Sequence, residues 1–233
     1  MKDRPDEEDW VRVAQLAELG LLSASLIHEL RQPLFALKAS MQLARSTGRA
    51  PDVDDLSALL AEVESLEAVV ENYSGFGRSS EPEVLYDLND PTRRAVAMLE
   101  HRGRQVGAEV DVQLSQAALY VTGRPGAARQ VVVNLLQNAY DAVSECPRRR
   151  VGVRTERTGA TVLLSIRDSG PGVPAEFRNR LFEPFVTTKP VGHGTGLGLY
   201  IARRLVVEAH GELRLVFLDE GGLRVDVELP AAA

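Results

Sequence analysis

The chain has 233 residues, 44% of them hydrophobic and 26% charged, with a formal net charge of -6. That is enough for one large or two modest globular domains and too apolar for a disordered chain, while the acidic balance argues against non-specific nucleic-acid binding. The single Cys146 excludes an internal disulfide and a cysteine-based metal cluster. No apolar run approaches the roughly 20 residues that cross a bilayer, and the start, Met1 to Asp9, lacks the apolar centre of a signal peptide, so a soluble, cytoplasmic chain is expected.

From Trp10 to about Thr47 the pattern is helical. Apolar or small residues at Val13, Leu16, Gly20, Ser23, Ile27, Leu30, Leu34, Leu37, Met41 and Ala44 alternate three and four apart, which marks one face of a coiled-coil-like helix. Pro33 deletes one backbone donor and should bend it. His28 falls just outside the seam. A neutral imidazole at the edge of a bundle can offer a ring nitrogen as nucleophile, and Glu29 beside it can orient the ring or take its proton. Taken alone, the same histidine reads as an ordinary surface residue.

Gly48 to Asp52 supplies turn chemistry, with Asp52 or Asp54 as a cap, and a second helix to about Phe76 has its seam at Leu56, Leu59, Val63, Leu66, Val70 and Tyr73. Two antiparallel helices leave much of their apolar faces wet, so the all-α hairpin should pair with a second copy into a four-helix bundle, making a homodimer. The alternative is packing on the rest of the same chain. Gly75 to Pro82 has the composition of a hinge, which divides the chain into domains 1–78 and 79–233.

Beyond the hinge, strands and helices mix. Strands are predicted near Val84 to Leu88, Glu109 to Leu114, Leu119 to Val121, Arg150 to Glu156 and Thr161 to Asp168. Helices are predicted from Pro91 to about Arg104, Gly126 to Ser144 and Gly196 to about His210, and a hairpin through Asp219 to Gly222 closes the chain. The sum is a two-layer α/β sandwich. Arg148 to Arg150 reads as the solvated start of a strand.

Four clusters in this second domain have convergent chemistry. Asn134 and Asn138, four apart on a helix with Gln130 on the same stripe, can offer amide oxygens to a hard cation such as Mg²⁺. Asp168-Ser-Gly-Pro-Gly172 sets a carboxylate beside glycines that let a flat ring approach. Phe182 to Lys189 offers an apolar anchor, the hydroxyls of Thr187 and Thr188, and an ammonium. Gly194-Thr-Gly-Leu-Gly-Leu199 opens a helix, whose free N–H groups suit a polyphosphate. No strand directly precedes this glycine motif, which disfavours a dinucleotide-binding unit.

In this order the clusters resemble the boxes of the sensor histidine kinases of two-component signalling, over nearly the whole chain. Ser25 to Ala36 looks like their phosphoacceptor box, in the subgroup reading His-Glu-x-x-Gln-Pro-Leu, and Gln130 to Ala142 looks like the N box. Asp168 to Gly172, Phe182 to Lys189 and Gly194 to Leu199 match the first glycine, phenylalanine and second glycine boxes. The resemblance implies the ATP-binding fold shared with gyrase-type and chaperone ATPases. It implies that Asn138 with Asn134 holds Mg²⁺ on ATP, and that Asp168 reads the adenine amine in a pocket shaped by Gly170 and Gly172. By the same resemblance Gly194, Gly196 and Gly198 cradle phosphates. Asp141, Phe182, Thr187, Thr188, Lys189, Thr195 and Leu197 belong to the same implied ATP site.

The resemblance further implies autophosphorylation of His28 and transfer to an aspartate on the receiver domain of a response regulator. Arg31, Phe35, Lys38 and Gln42 lie at helical spacing from His28 for docking, and Gln32 could position water for a phosphatase activity. Only Pro190 to His193 separates Lys189 from Gly194, so the lid is short. About ten residues precede the first predicted helix, which points to a sensor domain outside this sequence or a sensor partner. The alternative readings are a dimeric phosphotransfer adaptor with a relict ATP fold, and an ATPase doing conformational work. The intact Asn, Asp and Gly sets argue against the first. The second usually needs a glutamate base where Asn134 stands.

Overall fold

The computed structural model describes residues 30, 31, 33–48, 50, 52, 53, 55–60, 63, 66, 81–189 and 196–232. The chain divides into two compact units, Met1–Tyr73 and Ser74–Ala233. His28, Glu29 and Gln32 lie outside the described residues, as do Gly194 and Thr195.

In the first unit, helix α1 covers 33–47 and helix α2 covers 55–60. Gly48 ends α1 at φ 64, a left-handed position that glycine takes without a Cβ penalty. The turn then closes on itself. Asp55 N–H donates to Asp52 Oδ1 at 2.9 Å and Asp52 N–H to Asp55 Oδ2 at 3.1 Å, so each aspartate serves an otherwise orphan donor at the start of α2.

The second unit runs β1 (Val84–Asp87), α3 (Asn89–Met98), α4 (Glu100–Val106), β2 (Glu109–Gln113), β3 (Tyr120–Gly123), α5 (Pro125–Val143), β4 (Arg150–Thr158), β5 (Thr161–Asp168), α6 (Gly198–Glu208), β6 (Glu212–Phe217) and β7 (Leu223–Pro230). Five strands form one sheet in the order β2-β4-β5-β7-β6, parallel only between β2 and β4, and β1 pairs with β3 in a separate antiparallel ribbon. Helix α5 packs on β4 and β5, α6 on β6, and α3 and α6 on α5, giving two layers.

Strand periodicity explains where the core sits. Val151, Val153 and Thr155 of β4 are buried on alternate residues, as are Val162, Leu164, Ile166 and Asp168 of β5. Register sets Val153 beside Ile166 and Ile166 beside Val225, so an apolar row crosses the sheet under α5. Asp168 is the last of the inward-facing residues of β5 and is carried inward by the same period.

One predicted helix is corrected. The stretch expected from Pro91 to about Arg104 is two helices broken at Leu99, whose φ of -98 and ψ of 8 leave the helical region. Leu99 is buried, and the break lets Gly103 meet the Tyr140 ring, where a Cβ would come within 3.1 Å of the hydroxyl. Upstream, α5 is capped from a distance. The Glu81 carboxylate accepts from Gly126 N–H at 3.0 and 3.2 Å, and a side chain at 126 would stand 2.6 Å from Glu81 Oε2. With burial first and Glu81 second, the Tyr86 hydroxyl is pushed up to about 12.

A polar knot ties the edge of the layers together. Asn89 donates to the carbonyls of Ser115 and Ala117 and accepts from Thr155 Oγ1 at 2.7 Å, while Thr155 Oγ1 accepts from Ser115 N–H. Asn89 and Thr155 are both buried. The loop between β2 and β3 is thereby fastened to β4 and to the start of α3.

Candidate nucleotide site

Helix α5 supplies one wall. Gln130, Asn134, Asn138 and Asp141 fall on one face because they are four, four and three residues apart. Gln130 Nε2 donates to Asn134 Oδ1 at 2.9 Å, and Asn134 Nδ2 donates to the Gly198 carbonyl at 3.3 Å. Asn134 is 1% exposed and engaged at both ends, so in this arrangement it fixes the start of α6 against α5. Asn138 is only partly buried, and its amide lies against the Gly198 Cα, where an added Cβ would be 3.2 Å from Nδ2. Of the two asparagines, Asn138 is the one with an amide left for a ligand among the described residues.

The loop after β5 makes the second wall. Gly170 permits it, since a Cβ there would come within 2.9 Å of the Ala142 Cβ and carbonyl oxygen. Gly172 follows at φ 76, and Gly222, at φ 91 in the β6–β7 turn, presses on the Asp168 carbonyl. Asp168 Oδ1 accepts from Gly170 N–H at 2.8 Å and Leu223 N–H at 3.3 Å. Its Oδ2 has no partner among the described residues. Burial pushes the carboxyl above the ordinary aspartate range, partly opposed by those two N–H groups and by Arg167. A buried acceptor oxygen left unmatched is suited to an amine-bearing ring.

The third wall is the stretch Phe182 to Lys189 together with the start of α6. Lys189 Nζ meets Asp141 Oδ2 at 2.5 Å and Arg102 of α4 meets Asp141 Oδ1 at 3.1 Å, so one carboxylate on α5 joins α4 to this loop. Lys189 N–H also donates to Thr187 Oγ1 at 3.1 Å. Thr188 is exposed beside them. The N-cap of α6 is Leu197, whose apolar side chain offers the helix start no hydrogen bond. Gly196 sits at φ 66, Gly198 opens the helix, and the Leu197 side chain is in the core at 1% exposed. The positive end of a helix dipole suits a polyanion. Among the described residues no cluster of three or more His, Cys, Asp or Glu could hold a metal unaided.

The structure thus brings Asn134 and Asn138 to Gly198 and Asp141 to Lys189, and places Gly170, with Asp168 Oδ1 beside it, against Ala142, the residue after Asp141. Arg102 and Arg203 were missed in the sequence. Neither stands in a motif, and only spatial proximity reveals them.

Residues 123–233 match the family described as Histidine kinase-, DNA gyrase B-, and HSP90-like ATPase. The chain is 32% identical over 234 residues to a C4-dicarboxylate transport sensor protein of Pseudomonas aeruginosa, covering 96% of this chain and 37% of that protein. It is 29% identical over 230 residues to a signal transduction histidine-protein kinase of Escherichia coli, covering 96% of this chain and 37% of that one. The chain therefore spans little more than a third of these relatives. Among solved structures, the catalytic domain of the histidine kinase ThkA superposes with a TM-score of 0.58 at 28% identity, covering 65% of this chain and 99% of that one. The same kinase in complex with a response regulator protein superposes with a TM-score of 0.67 at 23% identity, covering 99% of this chain and 68% of that one, a likeness of fold. The N-box face of α5, Asp168 and the glycine start of α6 all fall within residues 123–233, the part of the chain that matches the histidine kinase-, DNA gyrase B- and HSP90-like ATPase family.

Proposed function

We propose that the chain is the kinase core of a sensor histidine kinase, which uses ATP and Mg²⁺ to phosphorylate His28 and passes the phosphoryl group to an aspartate on a response regulator. The observation that carries the reading is a buried acceptor, Asp168 Oδ2, unmatched among the described residues, in a loop packed on helix α5, whose Asn134 also holds the Gly198 start of α6. Asp168 accepts from the adenine amine. The N–H groups around Gly196 and Gly198 meet the phosphates, and Lys189, exchanged from Asp141, offsets their charge. Mg²⁺ would be held by Asn138 with the phosphates, because hard cations keep oxygen ligands and accept amide carbonyls. Glu29 keeps the attacking nitrogen of His28 unprotonated, and the protein's contribution is chiefly positioning and charge neutralisation. Gln32 orients water for dephosphorylation of the regulator.

The functional unit is a homodimer through the first 78 residues, with the hairpin completing a four-helix bundle. Input reaches it from a sensor domain or a sensor partner. Support for the regulator comes from the sensor kinases and the kinase–regulator complex that the chain resembles.

The test is incubation of the full chain with γ-labelled ATP and Mg²⁺ beside His28→Ala. Acid-labile, alkali-stable label that His28→Ala abolishes, and that moves to a receiver domain, is expected. Label that persists in His28→Ala would sink the reading.

A further inference from the structure

Phe185 has φ 66, in the left-handed region that a bulky side chain avoids. Its N–H donates to the Gly196 carbonyl at 3.1 Å, and Gly196 also has φ 66. A Cβ on Gly196 would stand 2.7 Å from both Phe185 Cα and Val186 N and would overlap the Phe185 carbonyl carbon. These two left-handed residues are therefore packed backbone to backbone, and the position of one sets the position of the other. Gly196 in turn leads through the buried Leu197 into α6, the helix start offered to phosphate.

A strained conformation persists only where its surroundings over-determine it. On the Lys189 side the loop is held to α5 through Asp141. On the other side the Phe182 ring, three residues before Phe185, lies under the guanidinium of Arg203, 4.6 Å from the ring centroid. Arg203 belongs to α6 itself, five residues after Gly198. The Arg180–Glu183 ion pair at 2.9 Å is internal to the loop and anchors it to no other element.

We propose that Arg203 is a positioning residue for nucleotide binding, acting through Phe182 to keep the strained Phe185 turn against Gly196 and so fix the phosphate-facing start of α6. This rests on the reading of the site as an ATP site. Arg203 is exposed and makes no claim on the nucleotide itself; it preorganises the donors that do.

The experiment is direct titration of the full chain with ATP and Mg²⁺, alongside autophosphorylation kinetics, for Arg203→Ala, Arg203→Lys, Phe182→Leu, Phe185→Gly and the combinations Arg203→Ala with each of the last two. Arg203→Ala should raise the ATP Kd and KM about three- to tenfold with kcat at saturation held, and Arg203→Lys should recover most of it. Phe182→Leu should match it without adding to it. Because glycine holds a left-handed φ unaided, Arg203→Ala should have a smaller effect in the Phe185→Gly background. An unchanged Kd in Arg203→Ala, an equal effect in both backgrounds, or a loss that follows a lower melting temperature of the nucleotide-free protein overturns the inference alone. A wild-type chain that takes no ATP overturns the inference and the reading beneath it together.

Discussion

Asp168 ends the inward column of β5, and its charge has to be understood from that position. Burial holds its folded pKa above the value of 3.8 it would have in the unfolded chain. The protonated form is therefore favoured by folding: the contribution to stability is full below the unfolded pKa and is lost as pH rises through the folded one. In the nucleotide-free protein the Asp168 Oδ2 is unmatched among the described residues. An adenine amine donating to it favours the charged form, so binding should release protons in the window between the ordinary aspartate range and the raised value. ATP affinity should fall as pH is lowered through that window, and in Asp168→Asn it should be about 10- to 100-fold weaker at neutral pH and lose the pH dependence. Titration calorimetry in two buffers of different ionisation enthalpy would read both the affinity and the proton count. No proton release, with a normal affinity in Asp168→Asn, would remove Asp168 from the adenine role.

Between elements, the knot around Asn89 shows a different logic from the nucleotide site. It joins β4, the β2–β3 loop and the start of α3 through one buried amide, and none of its members belongs to a motif. Asn89→Ala should lower unfolding free energy by about 2–4 kcal/mol, because the Thr155 hydroxyl and two carbonyls lose their partner in a buried setting. Urea unfolding of the isolated second unit or of the whole chain would measure it, and a change under about 0.5 kcal/mol would show that water replaces the amide. The contrast explains what the sequence discloses. Strand β5 is predicted at Thr161 to Asp168 and found there, since its two-residue period is clean. Helix α5 is likewise legible from its long apolar run. The break at Leu99 is not, because it answers to the Tyr140 ring packing on Gly103, a contact across more than thirty residues. The site's motifs are visible as a set. The commitment of Asn134 to the Gly198 carbonyl and of Lys189 to Asp141 depends on side-chain partners that spacing alone does not select.

For the molecule as a whole, the first unit carries an argument about partners in its heptad columns. Leu30, Leu37 and Ala44 fall seven apart and are half-buried, as are Leu59 and Leu66. The alternate column is open: Leu34 is 53% exposed, Met41 60%, Leu56 54% and Val63 40%. Single exposed apolar residues are ordinary, but a column repeated on two helices at heptad spacing is a continuous strip that water should not be left to cover. A second copy presenting the same strip satisfies it by symmetry, and each protomer's strip then becomes the inner seam of a four-helix bundle. The full chain should therefore sediment as a dimer at micromolar concentration, with a melting temperature that rises with concentration. Placing charges in the open column with Met41→Glu and Val63→Glu, both away from the phosphoacceptor box, should give a monomer whose second unit still binds ATP with unchanged affinity. Sedimentation equilibrium together with ATP titration separates the cases. A wild-type monomer, or a dimer that survives both charges, would mean that the strip is covered some other way and that the bundle is not the dimer interface.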